Sequence, residues 1–200
     1  MLPLNDGSIR VLLKENLANC NSRAQDTFII EELGLRHGAA RIDIAVIDTL
    51  LRGFEIKSDC DNLERLPNQI QIYNAVFDRV TLVTGHRLLD KALPTIPEWW
   101  GIKLAETSSL GRLRLIDVRD PQDNPSRDML AITKLLWKAE ALSLLEEIGA
   151  ADGFHYKPRA IIYQQLAEQA DPVWLCGRIR QHLCSRTEWR VASRQRSYDG

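Results

Sequence analysis

The spacing of apolar positions changes several times along the first half of the chain, and each change marks an element. Between Arg23 and Leu35, Phe28, Ile29, Ile30, Leu33 and Leu35 fall at spacings compatible with one helix face, ended by Gly34 or Gly38. From Arg41 the period shortens to two, and Ile42, Ile44 and Val46 alternate with Asp43 and Ala45 in a β-rich run to Thr49. Gly53 to Lys57 repeats the alternation, with Phe54 and Ile56 on one face and Glu55 and Lys57 on the other. Thr49, Leu50, Leu51 and Arg52 can close a hairpin between these strands. A helix is expected from Asp61 to Phe77, restarted or kinked at Pro67. Arg79 to Thr84 is a β-branched strand stopped by Gly85, and Ile102 to Leu104 and Leu113 to Val118 read as further strands.

Residues 119–128 contain two prolines, several turn formers and no large apolar side chain, the pattern of a linker. Beyond it the spacing is helical. Met129 to Ile148 carries Leu135, Leu136, Ala139, Leu142, Leu145 and Ile148 on one stripe before Gly149. Pro158 opens a second helix to Ala170, and Asp171-Pro172 starts a third with Val173, Leu175, Ile179 and Leu183. The expected division is an α/β domain over 1–118, a linker over 119–128 and a helical region over 129–200.

With 44% hydrophobic and 26% charged residues in a chain of 200, a real core can form, which excludes a disordered or collagen-like chain. No apolar run approaches the ~20 residues of a bilayer span. Met1 to Lys14 has no signal-peptide h-region, so a cytoplasmic protein with no membrane partner is expected. Cys20, Cys60, Cys176 and Cys184 lie far apart without a CxxC pair, which points to reduced thiols rather than zinc or disulfides. The net charge is −1 but unevenly placed: residues 1–100 hold 11 basic against 14 acidic side chains, residues 101–200 hold 15 against 13. From Arg178 to Gly200 there are six arginines against Glu188 and Asp199, a handle for phosphate or a solubilising terminus.

Candidate chemistry concentrates in the acidic hairpin. Pairing of the two strands brings Asp43 near Glu55, and Lys57 projects from the same face two residues on. Half-burying two carboxylates is costly unless a positive charge compensates. A hard divalent cation would do so, would lower the pKa of a bound water and would neutralise charge on a phosphodiester, with Lys57 serving the attacking water. The motif alone is weak: with 12 Glu and 7 Lys in the chain, chance gives roughly 0.4 Glu-x-Lys matches. A solvated hairpin face with an ion pair is the plain alternative.

The order helix, three strands, helix, strand over residues 23–84, with Asp43 and Glu55-Ile56-Lys57, resembles the PD-(D/E)XK nuclease superfamily. Glu-Glu-Leu-Gly-Leu, Arg-Ile-Asp-Ile-Ala-Val, Glu-Ile-Lys-Ser-Asp, Arg-Leu-Pro-Asn-Gln and Tyr-Asn-Ala-Val-Phe-Asp-Arg-Val-Thr-Leu-Val look like a bacterial family of largely uncharacterised members of it. One departure is Ile42 where the motif has proline. The resemblance implies an α/β fold with a restriction-endonuclease-like αβββαβ core and a C-terminal helical bundle. It also implies a Mg²⁺- or Mn²⁺-dependent nuclease acting on nucleic acid, most often DNA. Glu32 on the first helix, Asp43 and Glu55 would hold the metal, and Lys57, Gln69 and Tyr73 would complete the catalytic group. Many such nucleases form homodimers to cut both strands. The alternative is a non-catalytic nucleic-acid-binding or regulatory module on a nuclease-like scaffold.

Arg41, Lys157, Arg159, Arg178 and Arg180 are the candidate phosphate contacts, against a plain helical bundle packed on the sheet. Asp61 is expected to cap the next helix, and Trp99 and Trp100 to plug the sheet. No GxGxxG, P-loop or GxSxG occurs, which disfavours dinucleotide, ATP and serine-hydrolase chemistry.

Overall fold

The computed structural model describes residues 5–21, 27–109 and 111–196; the side chains of residues 20, 21, 37 and 187–196, Arg190 among them, lie outside the described residues, as do residues 23–26 of the first expected helix. The fold is mixed α/β, with a six-stranded mixed sheet and seven α-helices among the described residues. Strands β1 (Phe28–Leu35), β2 (Ala40–Ile47), β3 (Leu51–Lys57), β4 (Arg79–Thr84), β5 (Gly101–Thr107) and β6 (Leu113–Arg119) lie side by side in chain order. The first three form an antiparallel meander, β3–β4 and β4–β5 pair parallel, and β6 returns antiparallel. The parallel pairs require crossovers, and the helices α2 (Leu66–Asn74) and α3 (His86–Ala92) lie in them.

Burial on both faces explains the long apolar runs of β2 to β4. On one face, α1 (Asp6–Asn21) sets Ile9, Leu13 and Leu17 against Ile44, Val46, Phe54, Ile56 and Val83. Those three α1 residues recur every four positions, and Asn5 accepts the Ser8 N–H at 2.9 Å, so the helix carried both a stripe and a start signal. On the other face, one apolar cluster runs from Ile30, Ile47 and Leu51 through Tyr73, Phe77 and Trp100 into the C-terminal helices. Trp100 is fully buried there, its Nε1–H donating to Asn74 Oδ1 at 2.8 Å, so it is the expected plug.

The helix expected over Arg23 to Leu35 is instead the strand β1, and Glu32 therefore sits on a strand and not on a helix. Pairing of Ile29↔Val46, Ile30↔Ala45 and Leu33↔Ile42 outweighs a weak helical spacing, and adjacent Ile29 and Ile30 favour the pleat. The hairpin turn is tighter than expected, with Asp48 Oδ1 accepting the Leu50 N–H at 2.8 Å. Asp61 does not cap a helix: its carboxylate accepts from the Ser58 N–H and hydroxyl at 2.7 and 2.6 Å, and α2 begins at Leu66.

Residues 120–128 form neither helix nor strand, yet they are bonded across the sheet end. Asn124 Nδ2 donates to Asn74 O and Phe77 O, Asn124 N to Asp78 O, and Arg127 pairs with Asp78. The helix expected over Met129 to Ile148 is broken in two, α4 (Met129–Thr133) and α5 (Lys138–Glu147). The break is pinned from outside: Tyr163 Oη donates to Leu136 O at 2.8 Å and Arg186 to Leu135 O at 3.1 Å. Gly149 follows with φ +70°, a left-handed C-cap that a side chain would strain. The helices α6 (Arg159–Gln169) and α7 (Pro172–Arg196) complete the chain, α7 capped by Asp171 Oδ1 on the Trp174 N–H. No helix among the described residues is long and apolar enough to cross a membrane.

Candidate functional site

The sheet parts where the candidate carboxylates lie. The β2–β3 ladder runs from Ile47↔Leu51 to Ile44↔Phe54, and beyond it the Asp43 side chain takes over, Oδ2 accepting the Ile56 N–H at 2.7 Å. Glu55 is 2% exposed. Its Oε1 accepts from Lys57 Nζ and Gln69 Nε2, each at 2.6 Å, and its Oε2 lies 2.7 Å from the Tyr73 hydroxyl. That hydroxyl is also 2.8 Å from Arg41 O, and one proton serves only one of the two oxygens. Burial pushes the Glu55 carboxyl above its usual range; Lys57 opposes the rise and Asp43 adds to it. A proton held by Glu55 and donated to Tyr73 would free the Tyr73 hydroxyl for Arg41 O.

Arg10 of α1 closes the other side. Its Nη2 lies 2.6 Å from Asp43 Oδ1 and its Nη1 3.0 Å from Glu32 Oε1, while Nε pairs with Asp6 at 3.1 Å. Burial raises the Asp43 carboxyl, opposed by the Ile56 N–H and by Arg10. Burial works to lower the Arg10 guanidinium, and Asp6 and Asp43 outweigh it, raising the pKa. Glu32 is an exposed residue with φ +56°, shared between Arg10 and, at 3.4 Å, Arg41.

These groups line a cleft of about 620 Å³ that carries Asp6, Glu32, Asp43, Glu55, Asp61 and Glu64 against Arg41, Lys57 and Arg65. Of the residues singled out in the sequence, Glu32, Asp43, Glu55, Lys57 and Gln69 face this one space, and Tyr73 bonds into it. Each Asp43 and Glu55 oxygen already faces a donor of the protein. Among the described residues no three His, Cys, Asp or Glu side chains are grouped as a metal shell would need. In this arrangement the Asp43 and Glu55 oxygens are held by donors of the protein itself. The arrangement is a polar network that joins α1, β2, β3 and α2, with the buried Gln69 Oε1 left without a hydrogen-bond partner.

The expected phosphate contacts do not converge. Arg41 lies at the acidic cleft, Arg178 is paired with Glu147 at 2.5 Å, and Arg180 lines a separate groove beside Phe28 and Ile47. Lys157 and Arg159 are exposed, before and at the start of α6. Arg159 does meet other cations, which the sequence reading passed over: with Lys134, Lys138, Arg186 and Trp137 it lines a second cleft, of about 330 Å³. The signal available was Lys134-Leu-Leu-Trp137-Lys138, a tryptophan between two lysines inside an apparent helix.

Comparison with known proteins bears on these readings. The model of the family described as "Bacteriophage P4 protein cII" matches residues 4–196. Among curated proteins, the chain is similar to "Protein cII" of Enterobacteria phage P4, 35% identical over 114 residues. That alignment covers 56% of this chain and 43% of the relative, so the chain matches less than half the relative's length. No solved structure matches. The near-complete family match overturns the PD-(D/E)XK assignment. The nuclease activity and the descriptors nuclease, hydrolase and PD-(D/E)XK, which rested on that assignment, fall with it.

Proposed function

The chain belongs to the bacteriophage P4 protein cII family, and from that premise we propose a non-catalytic regulatory module that binds nucleic acid, with DNA its leading ligand. The observation that carries this reading is a contrast in pairing. Lys134, Lys138, Lys157 and Arg159, on or beside the C-terminal helices, make no ion pair among the described residues. In the acidic cleft, in contrast, the buried Glu55 and the partly buried Asp43 are bound to Arg10, Lys57, Gln69 and Tyr73. Unpaired cations release counterions when they meet phosphate, whereas a cleft with six carboxylates repels it. The order α1, β1 to β3, α2, β4 supports a restriction-endonuclease-like scaffold beneath this module, followed by a helical bundle.

The test is fluorescence anisotropy with labelled duplex DNA across a salt series. Binding is expected in the micromolar range at about 50 mM salt, fading steeply as salt rises. Lys157→Glu with Arg159→Glu should weaken it at least ten-fold, and the DNA should be recovered intact after incubation with Mg²⁺. Absence of binding to any nucleic acid at low salt would defeat the reading. So would Mg²⁺-dependent cleavage that vanishes in a folded Lys57→Ala protein.

A further inference from the structure

The second cleft contains an aromatic side chain that the core does not use. Trp137 is 56% exposed, although a tryptophan is mostly buried in folded proteins. Its position is nevertheless fixed. The Arg186 guanidinium stands over its ring, 4.2 Å from the centroid. Arg186 is held in turn by Glu140, with Nε 2.8 Å from Oε1 and a second contact from Nη2 to Oε2. Glu140 Oε2 also accepts the Trp137 N–H at 2.7 Å. Tyr163 and Arg186 hold the two preceding carbonyls, Leu136 O and Leu135 O. A half-buried ion pair and three backbone anchors thus support a ring whose remaining surface meets solvent.

Lys134, Lys138 and Arg159 line the same cleft and have no acidic partner among the described residues. A planar π surface ringed by free cations complements one ligand chemistry in particular, an unstacked base with phosphates on either side. A duplex hides its base faces, and an apolar peptide would leave the three cations without compensation.

We infer that this cleft binds single-stranded nucleic acid, one base stacking on the open side of Trp137 and the adjacent phosphates meeting Lys134, Lys138 and Arg159. The inference rests on the nucleic-acid-binding reading and narrows it to a strand type and a site. Arg186 supplies one side of the platform as a positioning residue, and the Glu140 carboxylate keeps it there.

The experiment compares labelled oligothymidylate and oligouridylate of about 10 nucleotides with a duplex of equal length, using wild-type, Trp137→Ala and Trp137→Phe proteins. Both variants leave the Arg186–Glu140 pair in place, and thermal melts confirm that they fold. Trp137→Ala should weaken single-strand binding about ten-fold. Trp137→Phe should return it to within about three-fold of wild type, and duplex binding should stay level in both. The two oligonucleotides separate a DNA from an RNA strand as the preferred ligand. Single-strand binding by Trp137→Ala equal to wild type would overturn the inference and leave the broader reading standing. Failure of the wild-type protein to bind either single strand or duplex would overturn both.

Discussion

The acidic and the basic cleft both gather ionisable residues and use them in opposite ways. At the centre of the acidic cleft, charges satisfy one another: Arg10 spans Asp6, Glu32 and Asp43, and Glu55 is enclosed by Lys57, Gln69 and Tyr73. In the basic cleft the protein's own bonds hold the backbone and Arg186, while Lys134, Lys138 and Arg159 are left facing outward. A cluster of ionisable residues therefore says little about function until its partners are counted. Where the partners are internal, the cluster ties elements together; where they are missing, a ligand can supply them.

Four variants probe that contrast. The largest effect is expected from Arg10→Leu, which removes the cation from the partly buried Asp43 and should cost about 3 kcal/mol in urea unfolding. A cost below about 0.5 kcal/mol would mean that the acidic network is not closed by Arg10. Tyr73→Phe keeps the ring stacked near Trp100 but removes the hydroxyl between Glu55 and Arg41 O, and should cost about 2 kcal/mol.

The third change is read in pH. Because burial raises the Glu55 carboxyl, the folded protein holds that proton at pH values where the unfolded chain has released it. Stability should then decline as pH climbs from about 4 through the raised value, and level off above it. Asp43 acts in the same direction. Glu55→Gln should make the decline shallower; an unchanged profile would show that Glu55 does not carry it. The smallest stability effect is expected in the other cleft. Lys134→Ala with Lys138→Ala should stay within about 0.5 kcal/mol of wild type, yet lower the slope of log affinity against log salt by about 2.

Much of the sheet was legible because its strands announce themselves locally. Arg79 to Thr84 coincides with β4, and the alternation around Asp43 and Glu55 matches β2 and β3. What failed was decided by distant contacts. Phe28 to Leu35 has a helix-like spacing, but the neighbouring β2 edge recruits it as a strand. The break before Trp137 is enforced by Tyr163 and Arg186, residues far along the chain, so a single long helix was the natural expectation. The nearness of Asp43, Glu55 and Lys57 was readable from hairpin geometry, whereas Gln69 and Tyr73 were expected beside them only through the superfamily resemblance. Arg10 was not, because it is 33 residues from Asp43 and on an element the apolar pattern at Ile9, Leu13 and Leu17 had gone unused to find. A shared arrangement of acidic and basic residues also led to a superfamily that the family match replaces.

The bonded segment between the sheet and the C-terminal helices has a consequence for any strand seated beside Trp137. Asn124, Arg127 and Asp128 moor residues 120–128 to Asn74, Ala75, Phe77 and Asp78, so the helices are clamped to the sheet rather than tethered. A polynucleotide caught on the helical side travels with the sheet as one body. A protease that nicked this segment would leave two fragments still joined through their common apolar interior.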